Sequence, residues 1–279
     1  MQDYYYGDHE NVSIETDVPF DLELGDNALD KLKSVKFPSD VAYLGGEGPA
    51  QEHHDPQEQY ESLDPMTTLK NKKTFLSLFP NRFASAIKRG KEGDWRQTSQ
   101  FHHLSDDEIL EAIGGQSTFT RACMADKNTR FVTILLASDS YYRSPEGLGK
   151  LRDCFRCVGV NQIKLYMFQE SDQWQLFAFF SKEIDSANIT SLISAWLRRN
   201  GIVPGTAGVS LHPGDEALCL PLQSGFCWIN DNGHIIVSRN EVSPEAALGL
   251  FVSDIERTET DGDELVERLE QILSSPEKK

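Results

Sequence analysis

The chain turns on one short stretch, Phe131-Val132-Thr133-Ile134-Leu135-Leu136-Ala137, followed by Ser138-Asp139-Ser140. A run this short, uniformly apolar or β-branched and bounded by turn residues predicts a central strand buried on both faces. The pattern behind it reads helix, strand, strand, helix, strand. Ser144-Pro145-Glu146 opens the first helix with a cap, a first-turn proline and an acidic residue. Leu148, Leu151, Phe155 and Val158 fall on one face of it, and Gly159 stops it. Residues 162–168 and 174–180 are strands about the turn Glu170-Ser171-Asp172. Ile189, Leu192, Ile193, Trp196 and Leu197 give the second helix its apolar face, Asn200-Gly201 ends it, and 217–220 is the expected closing strand. This β-α-β-β-α-β order predicts an α+β fold with a ferredoxin/RRM-like core: two helices on one face of a four-stranded sheet, the other face free for a site.

The flanks carry further elements. Ser105-Asp106-Asp107-Glu108 reads as a capping box that starts a helix to Ile113, and capping explains its carboxylates better than metal binding. Residues 118–124 are expected to pair with the central run across Asp126-Lys127-Asn128. Residues 226–229 and 234–237 form a hairpin about Asp231-Asn232-Gly233, and Ser243-Pro244-Glu245 starts a helix to about Val252. A last helix after Asp261 aligns Leu265, Leu269 and Ile272 for packing on the domain or on a partner.

Charge divides the chain. Residues 1–65 hold 16 acidic and 3 basic residues, residues 254–279 hold 9 and 4, and the stretch between is close to neutral within a total of −17. An acidic segment so poor in apolar residues cannot bury enough to offset its ordering entropy, so 1–65 reads as a mostly disordered arm. Composition reverses in 66–103, where Lys70, Lys72, Lys73, Arg82, Lys88, Arg89, Lys91 and Arg96 face only Glu92 and Asp94. With Phe75, Phe79 and Phe83 among them, these residues suit phosphate contact or, equally, the solvated face of two helices interrupted at Pro80. The expected division is arm 1–65, domain 66–256 and acidic helix and tail 257–279. No apolar run reaches membrane-spanning length and no leader pattern is visible, so a cytoplasmic chain without membrane contact is expected.

Five cysteines in such a chain predict reduced, buried thiols. Cys154-Phe155-Arg156-Cys157 has the spacing of half a zinc site, but the second half is missing. His212 and His234 read as surface or turn histidines, and 201–214 as a surface connection. No phosphate loop, dinucleotide fingerprint, nucleophile elbow or zinc-protease motif is present, so no cofactor or metal is expected. The inner strands lack the aromatic RNA-recognition motif, and Trp174, Phe177, Phe179 and Phe180 are assigned to core.

The order of segments over 74–255 resembles the archaeo-eukaryotic primase domain of TOTE conflict systems. Thr74-Phe75-Leu76-Ser77-Leu78-Phe79 is similar to that family's opening helix, His103-Leu104-Ser105-Asp106-Asp107-Glu108-Ile109 to its second, and Leu218-Cys219-Leu220-Pro221-Leu222-Gln223 to its closing ALPLQ strand. The resemblance implies a primase-polymerase catalytic core with an N-terminal αβ addition. It also implies lost catalysis: Leu135 and Ala137 stand where the family has two metal-binding aspartates, and Gln175 where it has a histidine. No catalytic residue carries over. Leu135, Ala137, Asp139 and Gln175 mark the vestigial site, and Lys70, Lys72, Lys73, Arg82, Lys88, Arg89 and Arg96 are the candidates for nucleic-acid contact.

Three functions fit. One is an inactive primase-like module of a replication, mobile-element or defence system, binding nucleic acid, or a protein through its acidic arm or C-terminal helix. Another is a living nucleotidyltransferase with ligands relocated to Asp139, Asp172 and Asp215. The third is an acidic mimic of nucleic acid that occupies a basic partner. The apolar inner face, with Thr133, Leu135, Ala137, Gln175, Phe177 and Phe179, is expected to be covered, the 261–273 helix being the nearest cover.

Overall fold

The computed structural model describes residues 65–83, 85–90, 93–98, 101–215 and 217–275, all within one unit, Gln51–Lys279. The acidic arm lies outside the described residues, apart from Pro65. Helices are α1 (Pro65–Ser77), α2 (Asp106–Ile113), α3 (Pro145–Cys157), α4 (Ser186–Arg199), α5 (Pro244–Thr258) and α6 (Gly262–Ser274). Strands are β1 (Ala86–Arg89), β2 (Arg96–Gln97), β3 (Phe119–Cys123), β4 (Asn128–Leu136), β5 (Lys164–Phe168), β6 (Gln173–Asp185), β7 (Val209–His212), β8 (Leu218–Cys219), β9 (Phe226–Ile229) and β10 (Ile235–Ser238). No helix among the described residues is long and apolar enough to cross a membrane.

The predicted central run is β4, with β6 on one side and β7 on the other. The larger sheet has the order β10-β9-β5-β6-β4-β7, and its β5-β6-β4-β7 portion is the antiparallel split βαβ arrangement. The strand that completes it is Val209–His212, not 217–220. Four residues between glycine-rich turns were too few to register as a strand, so the expected surface connection contains a core element. Residues 218–219 instead enter a second sheet, β2-β1-β3-β8. The expected hairpin of 118–124 with the central run does not form. With both edges of β4 taken, β3 pairs with β1 and β8.

The caps form where the sequence put them. Ser105 and Glu108 make the reciprocal capping box, and Ser144 and Ser243 each accept from the third residue beyond. Beyond Pro80 the chain is not a second helix but β1 and β2, and α5 continues past Val252 to Thr258.

Two apolar clusters sandwich the larger sheet. Outward-facing Val132, Ile134, Leu136, Leu176 and Phe180 pack with α3, α4 and α6. Inward-facing Phe131, Leu135, Tyr166, Phe177, Phe179 and Phe226 pack with α1, α2 and α5. The inner face is thus covered as expected, but the 261–273 helix is not the cover. Leu265 and Leu269 are buried on the outer side, while Phe251 of α5 meets the rings of Phe75, Tyr166, Phe177, Phe179 and Phe226 on the inner side. Asp254 fixes α5 there, accepting from Tyr166 Oη at 3.0 Å and Trp228 Nε1 at 3.1 Å and pairing with Lys164 at 2.7 Å. Burial, then the Asp254 charge, pushes the Tyr166 phenol well above its usual range.

Candidate functional site

A cleft of about 550 Å³ separates the smaller sheet from one end of the larger sheet's inner face. Strand alternation decides which side chains enter it. Ala86 opposes Gln97 and Ala122, and Lys88 opposes Thr120, so these share one face of the smaller sheet. Lys88, Gln97 and Thr120 line the cleft, joined by Trp95, which is 47% exposed. Leu135, Phe168 and Gln173 form the opposing wall, and Glu170 and Ser171 come from the β5–β6 turn.

The seven basic candidates do not converge. Lys88 alone of them lines the cleft. Arg89 and Arg96 lie on the other face of the smaller sheet, in register with Phe119 and Ile87. Arg82 is tied to Asp106 at 2.8 Å and donates to the Leu76 carbonyl. Lys70, Lys72 and Lys73 ride on α1, Lys70 pairing with Glu256 at 2.9 Å. Trp95, Gln97, Glu170 and Gln173 were not singled out from sequence. A lone tryptophan inside the basic segment was the signal for the first of these.

The vestigial positions separate as well. Leu135 lies in the cleft floor at 7% exposure, while Gln175, its cross-strand partner, is fully buried. Both Gln175 amide atoms and the Thr133 hydroxyl lack a hydrogen-bond partner among the described residues. Ala137 is half-buried, its N–H donating to the Gly208 carbonyl at 2.8 Å, and Asp139 is exposed. Asp172 is held at 2.7 Å by Arg143, whose hydrogen bond lowers its carboxyl below the usual range. Asp215 is exposed. Among the described residues, no three His, Cys, Asp or Glu side chains gather as a metal site.

His212 is corrected: it is buried on β7 beside Thr133, its ring stacked on Phe131 at 6.0 Å. His234 is exposed as expected. The expectation of buried thiols holds for Cys123, Cys154 and Cys227, whereas Cys219 is half-buried and Cys157 exposed. Burial pushes the Cys123 thiol up to about 11.

The cleft's small-sheet wall is held by the Leu218–Gln223 segment. Gln223 is buried; its Oε1 accepts from the Arg121 N–H at 2.7 Å, and its Nε2 donates to the Arg121 and Leu220 carbonyls, each at 2.8 Å. Arg121 in turn pairs with Glu108 at 3.0 Å. Burial raises the Glu108 carboxyl, but the Ser105 amide, Arg121 and His102 together outweigh it and leave the group below its usual range. Arg239 is buried nearby and donates to the carbonyls of Leu222, Val242 and Ile113. Desolvation lowers its pKa.

No protein-family model and no curated protein matches the chain. Among solved structures it is similar to the polymerase domain of Mycobacterium tuberculosis Ligase D in complex with DNA, at 12% identity and a TM-score of 0.44, over 69% of this chain and 90% of that one. It is also similar to the catalytic domain of primase RepB′ in complex with initiator DNA, at 10% identity and a TM-score of 0.32, over 70% of this chain and 100% of that one. A cyanophage primase-polymerase domain matches at 10% identity and a TM-score of 0.31, over 64% and 97%. Likeness at this level carries no argument about the site.

Proposed function

We propose that the chain is a primase-like module that does not transfer nucleotides and acts by holding single-stranded nucleic acid in the cleft between its two sheets. The observation that carries this reading is the lining. A cation, Lys88, and an exposed indole, Trp95, stand together with the amides Gln97 and Gln173, and Glu170 is the one carboxylate among the described lining residues. Aromatic stacking with a neighbouring cation suits bases and phosphates of an unpaired strand. Two-metal nucleotidyl transfer needs several carboxylate oxygens on bridging geometry. Leu135 in the floor supplies none. The split βαβ core and the motif resemblance over 74–255 support the primase-like assignment.

The test is salt-dependent binding of a labelled single-stranded oligonucleotide to the full chain, with Trp95→Ala as the variant. Loss of one base stack, about 1–3 kcal/mol, predicts a fall in affinity of roughly 5-fold to 150-fold. Unchanged affinity refutes the cleft as the binding site. Templated nucleotide incorporation abolished by Asp139→Ala would replace this reading with the living-enzyme one.

A further inference from the structure

The Cys154-Phe155-Arg156-Cys157 motif takes no part in the cleft. Its two free thiols sit on the last turn of α3 and both line a shallow depression of about 440 Å³, together with Lys150, Asp153, Glu146 and Asn200. Cys154 is buried at its base and Cys157 is exposed at its rim.

Helix geometry limits what this pair can do. Side chains three residues apart have Cβ atoms about 5–6 Å apart, whereas a disulfide needs about 3.5–4.5 Å. Direct closure would therefore unwind the last turn. That turn is held by the Val158 N–H on the Phe155 carbonyl at 3.1 Å and by Trp196 Nε1 on the Cys154 carbonyl at 2.9 Å. The thiols also lack the activation of a redox pair. They lie at the negative end of a helix, and burial, with Cys157 adding to it, raises the Cys154 thiol.

An atom placed between the sulfurs spans the gap better. Two metal–sulfur bonds of about 2.3 Å each reach farther than one sulfur–sulfur bond of about 2.05 Å. Zinc would call for four ligands; Asp153 and Glu146 line the depression, but Asp153 pairs with Arg156 at 2.7 Å, and among the described residues no three His, Cys, Asp or Glu side chains gather as a metal site. Two soft ligands without a third suit a two-coordinate monovalent d10 cation. Lys150, one turn before Cys154, lines the same depression, and its charge lowers the Cys154 thiol against Asp153, which raises it.

We propose that Cys154 and Cys157 form a two-thiolate site for a soft monovalent cation of the copper(I) class, with Lys150 offsetting its charge. Binding releases both thiol protons to solvent and leaves an anionic bis-thiolate complex; no electron is transferred.

The experiment offers copper(I), as its bathocuproine disulfonate complex, to the reduced full chain without oxygen, and reads loss of the chelator's colour. The parent should withdraw a single equivalent and Cys157→Ser none, while Cys123→Ser should match the parent. Lys150→Glu should weaken binding by roughly tenfold or more. Cys157 is exposed, so its serine variant should keep the parent circular dichroism spectrum. Failure of the parent to withdraw copper, equal withdrawal by Cys157→Ser, or loss in Cys123→Ser would each overturn the assignment.

Discussion

Replacing Gln223 with alanine tests how the cleft's wall is built. β8 is only two residues long, so it cannot satisfy the whole free edge of β3. The Gln223 amide takes over where β8 stops, bonding both the N–H and the carbonyl of Arg121 and also the Leu220 carbonyl. Alanine would leave the Arg121 N–H in the interior without that acceptor and remove a donor from the Leu220 carbonyl. The Arg121 carbonyl would keep the Leu220 N–H at 3.0 Å. Each newly orphaned group costs about 1–3 kcal/mol, so the variant should lose roughly 3 kcal/mol. For a domain of this size that is a fall in Tm of about 6–12 °C. Urea unfolding followed by near-ultraviolet circular dichroism measures it directly. Gln223→Glu should be no better, since a carboxylate cannot donate to the two carbonyls. An alanine variant within about 0.5 kcal/mol of the parent, at unchanged m-value, would refute the bridging role.

Leu135→Asp combined with Ala137→Asp should cost on the order of 3 kcal/mol or more in urea unfolding and restore no nucleotide incorporation, because Leu135 is 7% exposed against an apolar cluster. The Glu108 carboxyl is depressed in the folded state, so its contribution is present above its ordinary value of 4.5 and lost as pH falls through the lower folded value. The urea midpoint of Glu108→Gln should accordingly change less than the parent's between about pH 3 and 6. Asp254→Ala should destabilise by about 2–6 kcal/mol, since the buried Tyr166 hydroxyl and the Trp228 indole lose their acceptor together, each at about 1–3 kcal/mol. In the parent, Tyr166 should not ionise before alkaline unfolding, read as tyrosinate absorbance.

Local signals in this sequence were legible because each is written in a few adjacent residues. Ser105, Ser144, Ser243 and Asp261 all cap the helices they precede. The central strand was also visible, because burial on both faces leaves an unbroken apolar run. Pairing was not. Residues 119–123 read as a neighbour of β4, and only the occupation of both β4 edges sends them to another sheet. The basic segment shows the same limit: net charge is a property of composition, whereas the pleat puts Lys88 and Arg89 on opposite faces. Arg82, equally basic in sequence, is held by Asp106.

The two amphipathic C-terminal helices show why the cover of the inner face was misassigned. Both α5 and α6 carry an apolar stripe, and a stripe specifies burial without naming the surface it will meet. Aromatic volume makes the distinction. Phe251 fills the space among Tyr166, Phe177, Phe179 and Phe226, whereas Leu265 and Leu269 join the outer cluster that holds Ile184, Ile189 and Ile193. With α5 packed on the inner face, the end that carries Leu135, Phe168 and Gln173 faces the smaller sheet across the cleft. Lys88 and Trp95 line the facing wall of that opening. Thr133 and Gln175 remain beneath it as buried polar groups in an apolar cluster, each costing stability unless an ordered water completes its hydrogen bonds.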